Sequence, residues 1–227
     1  CLFSMAMLNK QSVMRCISNH GPINRSAIAK MVGLSIPSVM DITDQLIEHG
    51  MVSVEMKKAS GRGKQPELLS VCGEHYHFIG VDVGRTTIRI VLTGLDQSII
   101  ATVKYATEDV ECERRFVERI CAEIMALTRG SGVDEDTIVG VCVAMPGLIE
   151  RESGRVIFSP NFGWEDVPLQ DWMNEILPFQ VIVENANRVQ ASWEVFRNQE
   201  NNEKTVLCIG LGYGIGGGLL QNGKLYY

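Results

Sequence analysis

The spacing of apolar residues predicts three helices within the first fifty residues. Residues 5–19 carry apolar side chains three and four positions apart, which is the period of a helix with one buried face. Asn24 and Ser35 are suited to cap the second and third helices, and Gly33 is suited to end the second. A tight turn from Gly33 to Ser35 then joins two short helices, and Gly50 ends the third. This is the arrangement of a helix-turn-helix.

The segment that follows predicts a β-hairpin with a basic tip. Residues 51–56 and 67–71 have strand-like sequences, and the glycine-rich segment 57–66 between them carries Arg62 and Lys64. Glycines on both sides of Arg62 let the backbone lie close to DNA while the side chain enters a groove or pairs with a phosphate. A hairpin in this position is a wing, so the sequence predicts a winged helix-turn-helix.

The predicted third helix has a polar outer face that suits DNA recognition. Its first turn would meet base edges in the major groove, where Ser38 and Gln45 can form hydrogen bonds with bases. Asp41 and Asp44 lie on the same face, and their charges favour a base edge, a lysine or solvent over the phosphate backbone. The alternative interpretation is a helical bundle with a solvated charged loop. The candidate DNA contacts are Arg25, Ser35, Ser38, Gln45, Arg62 and Lys64.

Beyond residue 75 the pattern changes to buried strands with one amphipathic helix. Strands are predicted over 78–84, 87–93, 99–105 and 138–145, and a helix is predicted over 110–129. Three strands in a meander, followed by a helix and a further strand, are typical of α/β layering.

Two glycine-containing turns in this second part are candidate phosphate sites. In the first, a strand-borne aspartate is followed by glycine and threonine, whose amides and hydroxyl can hold a phosphate while the carboxylate orients a metal or water. The second follows strand-like residues 206–211 and is expected to run as a glycine-dense turn until a new strand starts at Leu219. It lacks the Lys-Ser/Thr of a Walker loop, and a simple hairpin is the alternative for both segments. The residues concerned are Asp82, Gly84, Thr86, Gly212, Gly214 and Gly216.

Charge is distributed unevenly along the chain. The net charge of the 227 residues is −6, yet the first seventy residues carry eight Lys and Arg against five Asp and Glu, a net charge of +3. The remaining residues carry thirteen against twenty-two, a net charge of −9. A basic head on an acidic body fits a DNA-binding unit joined to a unit that does not bind DNA.

Cysteine content and hydropathy argue against several other classes of protein. The seven cysteines include no Cys-x-x-Cys pair, which argues against a disulfide framework or a zinc site within the chain and fits a reducing cytoplasm. A run of about 18 uncharged apolar residues does not occur, so no membrane span is expected. The apolar residues 1–8 lack the basic lead of a signal peptide and continue as a helix.

Together these segments resemble the ROK family of repressors, open reading frames and sugar kinases, and the resemblance covers nearly the whole chain. It rests on a helix-turn-helix, a wing, two phosphate motifs and two sugar-pocket segments, at residues 21–50, 61–66, 80–89, 146–149 with Gly154, 160–164 and 212–218. It implies an α/β protein in which a winged helix-turn-helix domain at residues 1–72 precedes an incomplete actin-like ATPase/sugar-kinase (ribonuclease H-like) domain at residues 73–227.

The resemblance also implies where a sugar would bind. Asn161 and Asn185 match family positions that form hydrogen bonds with sugar hydroxyls, and Gly147 matches a backbone contact near the sugar. Turn formation by Asn161 and helix capping by Asn185 are the alternatives. Family kinases carry an aspartate as general base where this chain has Ala186, whose methyl group cannot take a proton. Arg85 replaces a glycine of the first phosphate motif and crowds that turn, so phosphate binding is expected to be vestigial.

These departures from the family pattern favour a regulator over an enzyme. We expect a cytoplasmic repressor of carbohydrate metabolism that binds a double-stranded DNA operator as a homodimer and responds to a sugar or sugar phosphate. The family's later sugar ligands and its cysteine-rich zinc loop lie beyond Tyr227, so neither a cofactor nor a metal is expected in this chain. The alternatives are an ATP-dependent sugar kinase of the ROK family and a degraded fragment that binds DNA but senses no ligand.

Overall fold

The structure is a computed structural model, and it describes residues 2–56, 67–107, 112–197, 204–212 and 214–227. The chain divides into two compact units, which are Cys1–Tyr76 with Gly94–Ser98, and His77–Thr93 with Ile99–Tyr227. The first unit thus runs past residue 72, where the sequence predicts the domain end, and includes a hairpin turn from later in the chain. None of the described helices is both long and apolar enough to cross a membrane.

Three helices open the first unit: α1 is Leu2–His20, α2 is Arg25–Val32 and α3 is Ile36–Glu48. The predicted caps are confirmed, because the side chains of Asn24 and Ser35 each accept a hydrogen bond from a backbone N–H in the first turn of the helix that follows. These bonds satisfy donors that the start of a helix otherwise leaves unpaired.

Helix α2 ends at a glycine in the left-handed conformation, as predicted. Gly33 has a φ of 71°, which residues with a side chain rarely adopt. The chain then turns directly into α3, where Val39, Ile42 and Leu46 pack inward while the opposite face of the helix is exposed. Helices α2 and α3 therefore form the predicted helix-turn-helix.

A two-stranded antiparallel hairpin follows α3, as the wing prediction requires. Strand β1 is Val52–Met56 and strand β2 is Glu67–Val71. Leu69 in β2 is fully buried, and its backbone N–H and C=O both pair with Ile23 in the loop before α2. The hairpin is therefore part of the core of the first unit and is anchored to the helix-turn-helix.

Within the described residues, the second unit contains a five-stranded sheet, two smaller sheets and three helices. In chain order its strands are β3 His77–Val83, β4 Thr87–Gly94, β5 Ile99–Ala106, β6 Ile138–Met145, β7 Leu148–Ile149, β8 Val156–Ser159, β9 Trp164–Val167, β10 Val181–Asn185, β11 Thr205–Leu211, β12 Ile215–Gln221 and β13 Lys224–Leu225. Its helices are α4 Glu113–Ser131, α5 Leu169–Ile176 and α6 Ala186–Arg197.

The five-stranded sheet has the order β10-β6-β3-β4-β5 and confirms the α/β prediction. Strands β10 and β3 both run parallel to β6, whereas β5 is antiparallel to β4. Its strands and helix α4 contribute to the main apolar core of the unit. Met145 and Asn185 are register partners at the ends of β6 and β10. The residues that follow these two strands are therefore brought together at one edge of the sheet.

The predicted start of a late strand at Leu219 is wrong. Strand β12 begins at Ile215 and pairs antiparallel with β11, so that Gly216 lies opposite Gly210 and Gly218 lies opposite Cys208. Glycine weakens a strand intrinsically, which is why the sequence favours a turn here. Close packing of α6 on these strands, described below, overrides that preference.

Candidate functional site

The exposed face of α3 is the first candidate site, because a helix-turn-helix places this surface in the major groove. Ser38 and Gln45 are both exposed, and Ser38 Oγ lies 2.8 Å from Ser35 Oγ, so two hydroxyls sit side by side where the helix begins. Ile36 and Met40 are 49% and 45% exposed, and apolar groups in this position can contact thymine methyls. The sequence prediction omitted Ile36, although the Ser35 cap makes it the first helical residue.

Arg25, a predicted DNA contact, binds three side chains within the first unit, and its contact with DNA stays a prediction. Its Nε donates to Thr43 Oγ1 at 2.9 Å and its Nη2 donates to Asp44 Oδ1 at 2.7 Å. Its Nη1 also donates to the carboxylate of Glu67, and only 18% of its side chain is exposed. Two carboxylates offset its charge and three of its five N–H donors bind within the unit, so Arg25 positions α3 against α2 and β2. The same ion pair explains why an acidic residue, Asp44, lies on the outer face of α3.

The tip of the wing, residues 57–66, lies outside the described residues. The DNA contacts assigned to Arg62 and Lys64 therefore stay predictions. The hairpin strands that would carry this tip are in place, since β1 and β2 pair in register up to Met56 and Glu67.

The second candidate site lies at the carboxyl ends of β6 and β10. Asn185 Nδ2 donates to the Gly147 carbonyl oxygen at 2.7 Å, and Ser159 Oγ donates to the Pro146 carbonyl oxygen at 2.6 Å. Gly147 has a φ of 131°, and a Cβ there would lie 2.5 Å from the carbonyl oxygen of Phe158. Hydrogen bonds from Asn185 and Ser159 thus fix the turn that resembles a sugar-pocket segment. Its second position, Gly147, tolerates only glycine.

Asn185 caps helix α6, which was the alternative to sugar binding. Its Oδ1 accepts hydrogen bonds from the backbone N–H groups of Asn187 at 2.9 Å and Arg188 at 3.2 Å. Since Nδ2 gives one hydrogen to Gly147, the second Nδ2 hydrogen is the group that a sugar hydroxyl could accept. Capping and sugar binding are therefore compatible roles. Asn161 is half-buried in the turn between β8 and β9.

Ala186 is the first residue of α6 and lies at the same edge of the sheet. The carboxylate of Glu184, two residues earlier, accepts hydrogen bonds from the backbone of Asn185 at 2.7 Å and from Arg188 Nη1 at 3.2 Å. Its Oε2 accepts from the Tyr227 hydroxyl at 3.0 Å. Burial raises the pKa of Tyr227 and Glu184 adds to the rise, so the phenol stays a donor. Glu184 is thus a poor substitute for the missing general base.

The first predicted phosphate segment forms a tight turn between β3 and β4. The Gly84 N–H donates to the Thr87 carbonyl oxygen at 3.0 Å, and a Cβ on Gly84 would lie 2.7 Å from that oxygen. The turn itself therefore requires this glycine and uses its amide. Thr86 and Asp82 are exposed, and Asp82 Oδ2 lies 4.0 Å from Arg89 Nε. Phosphate binding by these residues stays a prediction.

Three glycines lie directly against α6: Gly210 in β11, and Gly216 and Gly218 of the second phosphate segment. A Cβ on Gly210 would lie 2.2 Å from Asn187 Oδ1, and one on Gly216 would lie 2.1 Å from Asn187 Nδ2. A Cβ on Gly218 would lie 2.6 Å from the Ala191 Cβ. The Asn187 amide can shift away from a Cβ at position 210 or 216, whereas Ala191 Cβ and the backbone beside Gly218 cannot, so Gly218 lets α6 pack on β11 and β12. Gly216 faces the Asn187 side chain of α6, and phosphate binding by Gly216 stays a prediction.

Gly212 and Gly214, two of the other three glycines of this segment, have open surroundings. Among the described residues, nothing lies within 4 Å of a Cβ built on Gly212 or Gly214, apart from their immediate chain neighbours. The Gly212 N–H donates to the Gly214 carbonyl oxygen at 3.0 Å, and Tyr213 lies outside the described residues. An open glycine turn can approach a ligand closely, so phosphate binding by these two remains a prediction.

The two kinds of glycine can be separated by alanine substitution. We expect Gly218→Ala to lower the free energy of unfolding by about 1–3 kcal/mol, since the new methyl meets Ala191 and the backbone oxygen of Asn187. Gly212→Ala, its matched control, is expected to stay within about 0.5 kcal/mol of the parent. Urea unfolding followed by circular dichroism measures both, and equal stability of the two variants would contradict the packing assignment.

Together, the fold and the two candidate sites define a winged helix-turn-helix joined to a sugar-kinase-like α/β domain. Residues 8–64 match the model of the MarR family, and residues 78–227 match the model of the ROK family. The chain belongs to the ROK family.

Named relatives of the chain include both repressors and kinases. The xylose repressor of Caldicellulosiruptor bescii is 27% identical over 223 residues, which are 98% of this chain and 56% of the relative. The glucokinase of Halalkalibacterium halodurans is 29% identical over 150 residues, 66% of this chain and 46% of the relative. A crystal structure of a ROK-family transcriptional regulator, described as a homologue of the Escherichia coli MLC protein, superposes with a TM-score of 0.74 at 22% identity. The superposition covers 98% of this chain and 56% of that structure. The chain spans about half the length of the curated relatives it matches.

Proposed function

We propose that this chain is a transcription repressor whose first unit binds an operator in double-stranded DNA and whose second unit senses a sugar or sugar phosphate. The observation that carries the proposal is the exposed face of α3, on a helix-turn-helix whose inner face, caps and Arg25 ion pairs hold it in one orientation. Such a face has the polar and apolar groups needed to read base edges in a major groove.

The extent of the matches supports a repressor over a kinase. The xylose repressor matches both units of this chain, whereas the glucokinase matches 66% of it, the same share that the ROK model covers. Ala186 at the kinase base position supports the same choice. The proposed sensor pocket is the edge formed by Gly147 and Asn185, with Asn161 as a further hydrogen-bonding group.

The proposed repressor acts as a homodimer in the bacterial cytoplasm, where its operator is found. A single winged helix makes few base contacts, and two heads on one palindromic site multiply the affinity. Dimer formation is supported only by this argument and by the likeness to regulators.

The operator is first selected from a random duplex pool, and binding of the selected duplex is then measured by fluorescence anisotropy. We expect the double variant Ser38→Ala/Gln45→Ala to lose about 1–3 kcal/mol for each base contact removed, and to keep its non-specific affinity for unrelated DNA. Gln11→Ala, an exposed glutamine on α1, serves as the matched control and should bind like the parent.

Sedimentation of the complex gives its stoichiometry, which we expect to be two chains per operator. Xylose or glucose, or their phosphates, should release the operator from the parent. Selection of no preferred sequence, or equal operator binding by the double variant and the parent, would contradict DNA reading by α3. Release of the operator by none of the sugars would leave a DNA-binding protein and contradict the sensor assignment.

A further inference from the structure

Three side chains with metal-binding atoms lie together just after β2. The thiol of Cys72, the carboxylate of Glu74 and the imidazole of His75 each offer one ligand atom, and these atoms all lie within 4.8 Å of one another. Cys72 is half-buried, while Glu74 and His75 are exposed. Among the described residues, this is the one place where three potential metal ligands lie this close together. The absence of a Cys-x-x-Cys pair had suggested that no metal site exists here.

The backbone that carries these ligands is anchored to the end of α3. The Cys72 N–H donates to the Met51 carbonyl oxygen at 2.9 Å, and the Tyr76 hydroxyl donates to the His49 carbonyl oxygen at 2.8 Å. These two bonds fix the segment at both of its ends.

The His75 ring is also held by packing. A Cβ on Gly50 would lie 2.6 Å from the His75 Cδ2, so the ring lies directly over that glycine. Gly50 has a φ of +69°, a second reason why the position favours glycine. The ring therefore packs against the residue that follows the end of α3.

A second carboxylate lies next to the cluster. A Cβ on Gly73 would lie 2.3 Å from Asp96 Oδ1, so the Asp96 carboxylate sits over the residue between Cys72 and Glu74. Asp96 is itself fixed, because its Oδ1 accepts hydrogen bonds from the Ser98 N–H and hydroxyl at 3.1 and 2.6 Å. Two carboxylates and a thiol beside one imidazole make this position attractive to a cation.

We propose that Cys72, Glu74 and His75 form a binding site for a zinc-class divalent transition metal. One thiolate, one imidazole and one carboxylate are ligands that Zn²⁺ accepts, whereas Ca²⁺ and Mg²⁺ require oxygen ligands. Tetrahedral zinc sets its ligand atoms roughly 3.5 Å apart, which exposed side chains reach by small rotamer changes. Three protein ligands leave a fourth position for water.

The site lies in the segment through which the chain passes from the first unit to the second. A bound metal would tie the end of β2 to the residues just before β3 and so stiffen the covalent link between the proposed DNA-binding and sensor units. The metal site rests on its own residues and is tested without DNA or sugar.

The experiment titrates the chelator-treated full chain with Co²⁺ in the presence of a phosphine reductant. We expect one equivalent of Co²⁺ to give a near-ultraviolet thiolate-to-cobalt charge-transfer band, which one equivalent of Zn²⁺ abolishes. Cys72→Ser should remove the band. His75→Ala and Glu74→Gln should weaken Co²⁺ binding by at least the roughly 10- to 100-fold loss that follows removal of a group supporting a ligand.

Cys112→Ser is the matched control, because Cys112 is an exposed thiol ahead of α4 and should leave the band unchanged. Circular dichroism establishes that each variant is folded, and the two substitutions that keep Cys72 provide a test even if Cys72→Ser fails to fold. Absence of the band in the parent, or a band that Cys112→Ser removes and Cys72→Ser keeps, would overturn the proposal.

Discussion

Incubated with ATP and either xylose or glucose, the purified chain is expected to transfer no phosphate to the sugar. By the resemblance to the family's kinases, Ala186 matches the position of the aspartate that takes the proton from the attacking hydroxyl. Loss of a general base costs about 10²–10⁴-fold in rate. Nearby Glu184 is a poor substitute, because its carboxylate already accepts hydrogen bonds from Arg188 and the Tyr227 hydroxyl. Sugar-dependent formation of ADP, with mass spectrometry of the sugar, measures the activity.

The glucokinase of Halalkalibacterium halodurans provides a positive control in the same assay. Ala186→Asp places a carboxylate at the start of α6, and any turnover it gains over the parent would show that the missing base limits catalysis. Phosphorylation by the parent itself, reduced in Asn185→Ala and therefore dependent on the proposed pocket, would contradict the regulator assignment.

The sequence was sufficient to predict most of the first unit. Local signals agree there with the tertiary structure: Asn24 and Ser35 cap helices, Gly33 adopts a positive φ, and the apolar stripe of α3 is the buried one. The partners of Arg25 could not be predicted from local sequence. Whether a basic side chain faces DNA or two carboxylates depends on where Asp44 and Glu67 lie after folding, and Glu67 is 42 residues away in the chain.

In the second unit, strands β3 to β6 were predictable from the sequence, but their order in the sheet and the role of each glycine were not. Gly212 and Gly216 belong to one glycine-rich run, yet one is open and the other lies against Asn187 of α6. Packing between an element and a strand distant in sequence decides this difference. The cluster of Cys72, Glu74 and His75 was missed for a related reason. Metal sites are predicted from sequence by the spacing of paired cysteines, whereas this cluster forms because the segment after β2 folds back on the end of α3.

Leu69→Ala is expected to destabilise the first unit by about 2–5 kcal/mol and to leave the second unit unchanged. Leu69 is fully buried among the side chains of α1, α2 and α3, so truncation leaves a cavity where the hairpin meets the helix-turn-helix. Its backbone pairing with Ile23 survives the substitution, so the loss measures packing alone. A loss of this size approaches the whole stability of a small domain, and operator binding should fall with it.

Hydrogen exchange measured by mass spectrometry separates the two units within one chain. Amides of α2 and α3 should exchange faster by roughly tenfold for every 1.4 kcal/mol lost, while those of β3 and β6 keep their parent rates. Leu8→Ala is the matched control, because Leu8 is 54% exposed on α1 and its truncation should change the free energy of unfolding by less than about 0.5 kcal/mol. Equal acceleration in both units would show that they unfold as one cooperative body, and the division into a separately stable head and sensor would then be wrong.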